Sequence, residues 1–524
     1  MVENPPSQSE QPAAASPATV KSETRKVLCL QILRQFVAVA GAAALYRLLG
    51  PEPFGLYGMV IPLLMLPRMA ATLGLSAATV QIEQLSSSQR SAIFYITTGL
   101  GILAAVLTGG LGHLFSRIYD VPELVWISWA FAGTTVIDAI GLTHFASIQR
   151  RMQLGRIAGI RVVSQTVAVA VAIIVAVRIE DHPDRVAGSG ILAILALEYG
   201  QLAVNSLGYW ISGGWRPGRL AATDLKQLLT FGGNYSLSSL VFYAGQNLDK
   251  IILAVVLGST RTGQRLLGIY TAMYNLMMKP VYFVTDPVTS VMLPSLSRAR
   301  NSAADYRRIA LDFYRFTAIL LIPAGLGLAV VSGDVALLIS GPGWDEAALM
   351  LFALAPAVCV HGLINISGSL LASAGQTDRL LGAAFILLLL QAQGYIAAYW
   401  FATQFEIPGN VTEGQAVCVA VAVAYSLVLL MAIIPYLTYC FSRVGMQIRG
   451  LLLEWIQVLG RAMLMSFTVW FVQDLLLANG VGLALRLTIS IGVGVAAYGL
   501  LMWPRITESV LPFFVGRKTD TGDV

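Results

Sequence analysis

The sequence predicts an all-α polytopic membrane protein of about fourteen transmembrane helices, in two pseudo-symmetric six-helix lobes followed by two further helices. Three observations predict it. Hydrophobic residues make up 56% of the 524 and charged residues only 12%, with a mean hydropathy of +0.72. A soluble domain carries about 25% charged residues and has too little interior to hide so much apolar surface, so the natural solvent is lipid. Continuous apolar runs succeed one another almost to the end of the chain, without the alternation of a β-barrel. Finally, a stretch in the first half recurs in the second.

Residues 1–22 are rich in Pro, Ser, Gln and Ala and read as a disordered cytoplasmic tail. They lack the charged-then-apolar layout of a signal peptide, so the first span is expected to serve as the insertion signal. The apolar runs fall at roughly 27–49, 55–80, 92–115, 122–148, 157–178, 189–212, 230–257, 266–294, 311–333, 346–372, 380–403, 414–441, 455–478 and 483–503. An N-lobe is expected over 23–213, a C-lobe over 214–444, the two appended spans over 445–503 and a cytoplasmic tail over 504–524.

Orientation follows from Lys and Arg. With the amino terminus inside, inner loops carry about 20 of them, including Arg90, Arg150, Arg151, Arg156, Arg298, Arg300, Arg307 and Arg308. Outer loops carry about 7: Arg47, Arg117, Arg178, Arg185, Arg261, Arg265 and Arg486. This bias places both termini in the cytoplasm of a multi-pass protein of the cell (inner) membrane, with loops near residues 182 and 408 outside. The same bias accounts for the net charge of +6 without nucleic acid.

The repeat lies at an offset of 213 residues, with GLYGMVIPLLMLPRMAATLGLSAATVQ (55–81) over GIYTAMYNLMMKPVYFVTDPVTSVMLP (268–294). Gly55/Gly268, Tyr57/Tyr270, Leu63/Leu276, Pro67/Pro280 and Thr72/Thr285 match without gaps. Further on, QLGR (153–156) aligns with QTDR (376–379), and Glu123 with Glu346. An even number of spans per repeat gives both copies the same orientation, related by an axis along the membrane normal. Such an arrangement suits alternating access through a cleft between lobes.

Charges inside spans are costly, about 2.5–3.5 kcal/mol each at the bilayer centre, and usually face a cavity or a partner. Arg68 in span 2 and Lys279 in span 8 lie near the midplane beside the paired prolines, and Arg34 lies a turn or two inside span 1. All three are candidate substrate-binding cations. Pro67, Pro280 and Pro287 are candidate bending points. Asp138, Asp286 and His361 are candidates for ion coupling; for Asp138 and His361, at equivalent places in spans 4 and 10, an interhelical hydrogen bond is the stronger expectation. Asp249 and Lys250 are neighbours about 100° apart on a helix, so their adjacency does not imply pairing. Asp312 and Arg315, at i and i+3, are expected to pair near the surface.

Several chemistries are missing. The chain contains no GxxxxGK[ST], HExxH or GxSxG pattern. Its four Cys (Cys29, Cys359, Cys418, Cys440) and its His residues have no metal-ligand spacing. No cofactor is expected. Outer loops of at most about a dozen residues leave little room for the site of a glycan polymerase or ligase.

Particular segments resemble the Wzx-type polysaccharide flippases of the multidrug/oligosaccharidyl-lipid/polysaccharide exporter superfamily. They are ALYRLLGPEPFGLYGMV (44–60), LGLSAATVQ (73–81), QRRMQLGRIAG (149–159), NLDKIILAVVLG (247–258), LGIYTAMYNLMMKP (267–280), VMLPSLSRAR (291–300) and LLASAGQTDRL (370–380). Lys250 departs from the family pattern, which commonly has Asn there. The resemblance implies a transporter rather than an enzyme. It implies a substrate in which an oligosaccharide (an O-antigen or exopolysaccharide repeat unit) is linked to a polyprenyl diphosphate. It further implies surrounding membrane lipid and contact with a polysaccharide polymerase or glycosyltransferases as partners. A peptidoglycan-precursor flippase and a multidrug–cation antiporter of the same superfamily remain alternatives; the latter would favour an acidic cavity.

Overall fold

The computed structural model describes residues 17–72, 87–151, 153–180, 189–219, 226–404 and 412–505. The LGLSAATVQ segment and the loops near 182 and 408 lie outside the described residues. The described residues are helical, without strands. The N-lobe comprises α1 (Pro17–Leu49), α2 (Glu52–Thr72), α3 (Ser87–Tyr119), α4 (Leu124–Arg150), α5 (Leu154–Glu180) and α6 (Ile191–Gly213). The C-lobe comprises α7 (Lys226–Leu257), α8 (Arg261–Arg298), α9 (Ala303–Val330), the short α10 (Ser332–Ser340), α11 (Ala347–Leu354) continued by α12 (Val358–Ser373), α13 (Thr377–Gln404) and α14 (Glu413–Arg443). Two further helices follow, α15 (Arg449–Ala478) and α16 (Leu483–Arg505). Among the described residues 13 helices or joined helices are long and apolar enough to span a bilayer. The expected fourteenth is α8, 38 residues long, whose apolarity is diluted by Asn275, Lys279, Asp286 and three internal prolines. α2 and α8 run on as helices through Pro67, Pro280 and Pro287.

The repeat is visible in the packing. α1 lies against α5 as α7 lies against α13; the pairs α2–α3 and α8–α9, α3–α4 and α9–α12, α5–α6 and α13–α14, and α4–α6 and α12–α14 correspond in the same way. The lobes meet along α2 and α8, where repeat-equivalent residues touch each other. A Cβ on Gly268 would come within 2.9 Å of the Gly55 nitrogen and 1.9 Å of the Pro51 carbonyl oxygen, and one on Gly58 within 2.3 Å of Thr271 Oγ1. Equivalent residues can touch only beside the axis that relates them, so the pseudo-twofold axis passes between α2 and α8. Glycine is required there because any side chain would collide with backbone.

One interlobe contact is not duplicated. α2 packs along α7, but the equivalent pair, α8 and α1, has little contact. The lobes therefore part on the α1/α8 side. At the end of the bundle holding Leu49 and Arg261 they are shut. There Tyr46 and Phe54 of the N-lobe pack on Trp344 of the C-lobe, with ring centroids 5.1 and 6.2 Å apart, and the Arg47 guanidinium donates to the Leu338 carbonyl. α15 and α16 are fastened to the C-lobe by ion pairs. Arg315 of α9 donates to both oxygens of Glu454 at 2.7 and 2.9 Å, and Asp334 of α10 accepts from Arg486 and from Gln473. Arg315 also reaches Asp312 at 3.3 Å, the pair expected from their i, i+3 spacing.

Candidate functional site

The polar groups that bear on a site gather in three clusters, two of them inside the lobes and one on the parted side. In the N-lobe, Arg68 turns toward α4, where its Nε and Nη2 donate to Asp138 Oδ2 at 2.9 and 2.7 Å. Tyr57 donates to Glu198 at 3.1 Å. A small pocket between α2, α3 and α4 is lined by Arg68, Asp138, Thr97 and Thr135. Asp138 is thus the carboxylate that holds a midplane arginine. Arg68 is committed to a partner inside its own lobe, which its depth in the sequence did not foretell.

The C-lobe cluster surrounds a fully buried pair that adjacency on the helix did not imply. Lys250 Nζ lies 3.6 Å from Asp249 Oδ1, 3.3 Å from Asn247 Oδ1 and 3.2 Å above the centroid of the Tyr274 ring. Neighbouring side chains start about 100° apart, yet the long lysine stem curls back because the interior offers no water. Asp249 also accepts from Tyr270 at 2.6 Å and from the Lys250 amide at 2.8 Å. Beyond it run hydrogen bonds between Tyr274 and Tyr425 (3.4 Å), between Tyr425 and His361 Nδ1 (3.0 Å), and between Gln246 and His361 Nε2 (3.2 Å). His361 is therefore held between helices, as its position predicted. Repeat-equivalent Tyr57 and Tyr270 each donate to a carboxylate, half-buried Glu198 on α6 and fully buried Asp249 on α7.

The third cluster lines the parted α1/α8 side. On α8 the exposed Asn275, Tyr282, Asp286 and Ser290 form one stripe, with half-buried Lys279 at its edge. Counting the helical rise from Gly268, Lys279 lies about 17 Å and Asp286 about 27 Å below the closed crossing. Arg34 of α1 is within electrostatic range of Lys279, of Asp286 and of Arg161 on α5. Arg161 sits 5.3 Å over the Phe145 ring, and its Nε donates to Tyr209 at 3.4 Å. Among the described residues, Arg34, Lys279 and Asp286 make no hydrogen bond or ion pair through their charged groups. Arg161 was missed in the sequence because it lies near a span end, where an arginine reads as an anchor. Its tie to the cleft is a tertiary fact.

A family model described as "Polysaccharide biosynthesis protein" matches residues 44–349, more than half of the chain. The chain belongs to that family. Curated relatives agree with the Wzx-type resemblance. The lipopolysaccharide biosynthesis protein WzxC of Escherichia coli (strain K12) is 25% identical over 64% of this chain and 66% of its own length. The teichuronic acid biosynthesis protein TuaB of Bacillus subtilis (strain 168) is 25% identical over 58% of this chain and 61% of its own. The match thus spans just under two thirds of either relative. Among solved structures, the lipid II flippase MurJ in an inward closed conformation covers 92% of this chain and 99% of its own, with a TM-score of 0.67 at 12% identity. An inward-facing multidrug resistance MATE family transporter covers 78% of this chain and 95% of its own, with a TM-score of 0.57 at 12% identity. At such identity the likeness is one of fold, and the named neighbours are transporters rather than enzymes. The chain is a multi-pass membrane protein of the polysaccharide biosynthesis family with the two-lobed fold of these transporters.

Proposed function

We propose that this family member flips a polyprenyl-diphosphate-linked oligosaccharide from the cytoplasmic to the outer leaflet of the inner membrane, with both termini cytoplasmic, by alternating access between its lobes. The observation that carries this reading is the parting of α1 from α8, beside which Arg34 and Lys279 make no hydrogen bond or ion pair through their charged groups among the described residues. A diphosphate supplies charged acceptors for both cations, and each charge-assisted bond contributes about 1.5–3 kcal/mol. An opening to lipid lets the polyprenyl tail stay in the hydrocarbon while the headgroup crosses inside. Arg68, bound to Asp138, would respond to substrate only if that pair opens, so its role is secondary to that of Arg34 and Lys279. Three cations (Arg34, Arg161, Lys279) around one carboxylate favour an anionic substrate over a cationic drug.

Export of lipid-linked glycan in cells lacking the native transporter tests the reading. Lys279→Ala and Arg34→Ala are each expected to lower export about tenfold at normal membrane abundance, and the double variant to be near inactive. Wild-type export by both single variants overturns the cationic-cleft mechanism. Cysteines at Asp181 and Asn410 are expected to label from outside intact cells; labelling only after permeabilisation reverses the orientation.

A further inference from the structure

We infer that Asp286 is an internal stand-in for the substrate's phosphates, and that Arg161 is a third phosphate-binding cation, which Asp286 holds together with Arg34 when the carrier is empty. The inference rests on the diphosphate reading above and adds a role for two residues that it leaves unused.

Any cationic carrier meets a problem once its anion has been released. After the anion leaves, Arg34, Arg161 and Lys279 remain in a cleft that must close for the carrier to return. Bringing like charges together out of water is unfavourable, so an empty cleft of this composition resists closure. Among the described residues one carboxylate lies within electrostatic range of Arg34 and Arg161, and it is on the lobe opposite to theirs. Asp286 projects from the exposed stripe of α8, within electrostatic range of both Arg34 on α1 and Arg161 on α5. α1 and α5 pack together, so the two arginines move as one wall. α8 belongs to the other wall. Among the described residues no ion pair bridges them in the present conformation, because the α1/α8 side is parted. Closing that side carries Asp286 toward the arginines.

Arg161 is built to serve such a pair. Its guanidinium rests on the face of Phe145 and on the Tyr209 hydroxyl, which steer the fork without neutralising it. Among the described residues no carboxylate within its lobe holds it as Asp138 holds Arg68. The remaining charged group of the cleft, Lys279, lies on α8 with Asp286 and about 10 Å further up the helix, so it stays with the substrate headgroup rather than crossing the gap. The consequence is competition. A bound diphosphate occupies Arg34 and Arg161 and keeps Asp286 away; in its absence Asp286 takes both and lets the cleft close.

Two measurements test this on purified full-length protein in lipid nanodiscs, with farnesyl diphosphate as probe and farnesol as control. In the first, Asp286→Asn removes the competitor and is expected to bind farnesyl diphosphate about tenfold more tightly while glycan export falls. Arg161→Gln is expected to bind about fivefold more weakly. Unchanged or weaker binding by Asp286→Asn overturns the stand-in role, and unchanged binding by Arg161→Gln overturns its place as a ligand. If wild type binds no better than Arg34→Gln, the diphosphate reading itself fails, and this inference with it. The second does not depend on affinity. With Cys29 replaced by Ser, a disulfide between Gln31→Cys and Ser290→Cys is expected to form in the empty carrier, to be suppressed by farnesyl diphosphate, and to be lost in the Asp286→Asn background. Cross-linking that ignores both ligand and Asp286 overturns the inference.

Discussion

On one side of the molecule α2 lies along α7, and the charges behind that seam are partnered: Arg68 with Asp138, Lys250 with Asp249, Glu198 with the Tyr57 hydroxyl. On the other side the equivalent helices, α8 and α1, stand apart, and Arg34, Lys279 and Asp286 are unpaired among the described residues. The two sides descend from the same repeat, so the order of helices alone does not separate them. What separates them is where each cation finds an anion. A charge with a partner inside its own lobe contributes to that lobe's integrity. A charge with none there is available to a ligand or to the opposite lobe.

The comparison predicts its largest effect on stability. Lys250→Met strands the Asp249 carboxylate in the C-lobe interior and is expected to cost about 3–5 kcal/mol. Adding Asp249→Asn to it should recover part of the loss. Lys279→Met removes a charge with no partner and is expected to lie within about 0.5 kcal/mol of wild type. Heating each purified variant in detergent and following the monodisperse fraction checks the ordering. Equal losses at Lys250 and Lys279 would break the distinction between partnered and free cations.

A smaller effect sharpens the account of the closed end. A Cβ on Gly55 would sit 1.9 Å from the Gln264 carbonyl oxygen, so Gly55→Ala must push α2 from α8. Overpacking of this kind costs about 1–3 kcal/mol in the closed arrangement alone, a shift of roughly 5–150-fold toward states open at that end. Maleimide labelling of a cysteine at buried Ser340 is expected to rise accordingly. Unchanged labelling would mean that this crossing does not control the gate.

The smallest effect is electrostatic and lies at the helix ends. Burial alone would raise the Glu346 carboxyl, but hydrogen bonds from Arg265 (2.8 Å) and Gln415 (2.7 Å) outweigh it and hold the group below its ordinary value. A carboxyl lowered in the folded state stabilises above its unfolded value and loses that contribution as the pH falls through the folded one. Arg265→Met is therefore expected to cost about 0.5–1 kcal/mol at neutral pH and to flatten the acid limb of the stability profile. A limb of unchanged steepness would show that the pair is inert.

Composition, the succession of apolar runs and the 213-residue repeat determined the helical class, the spans and the two lobes, because these depend on local patterning and on the thickness of a bilayer. The paired glycines and tyrosines even placed α2 and α8 as equivalents before their contact was visible. Depth along a helix also singled out Arg34, Arg68 and Lys279, since a midplane charge is costly wherever it points. Only the tertiary structure decided which of them is free. Arg68 and Lys279 look alike in sequence, yet Asp138 lies 70 residues from Arg68 and meets it through the packing of α2 on α4. The curl of Lys250 onto Asp249, the approach of Arg161 to the cleft and the parting of α1 from α8 were likewise hidden. Each depends on rotamers and on contacts between distant segments, which a one-dimensional pattern of polarity does not encode.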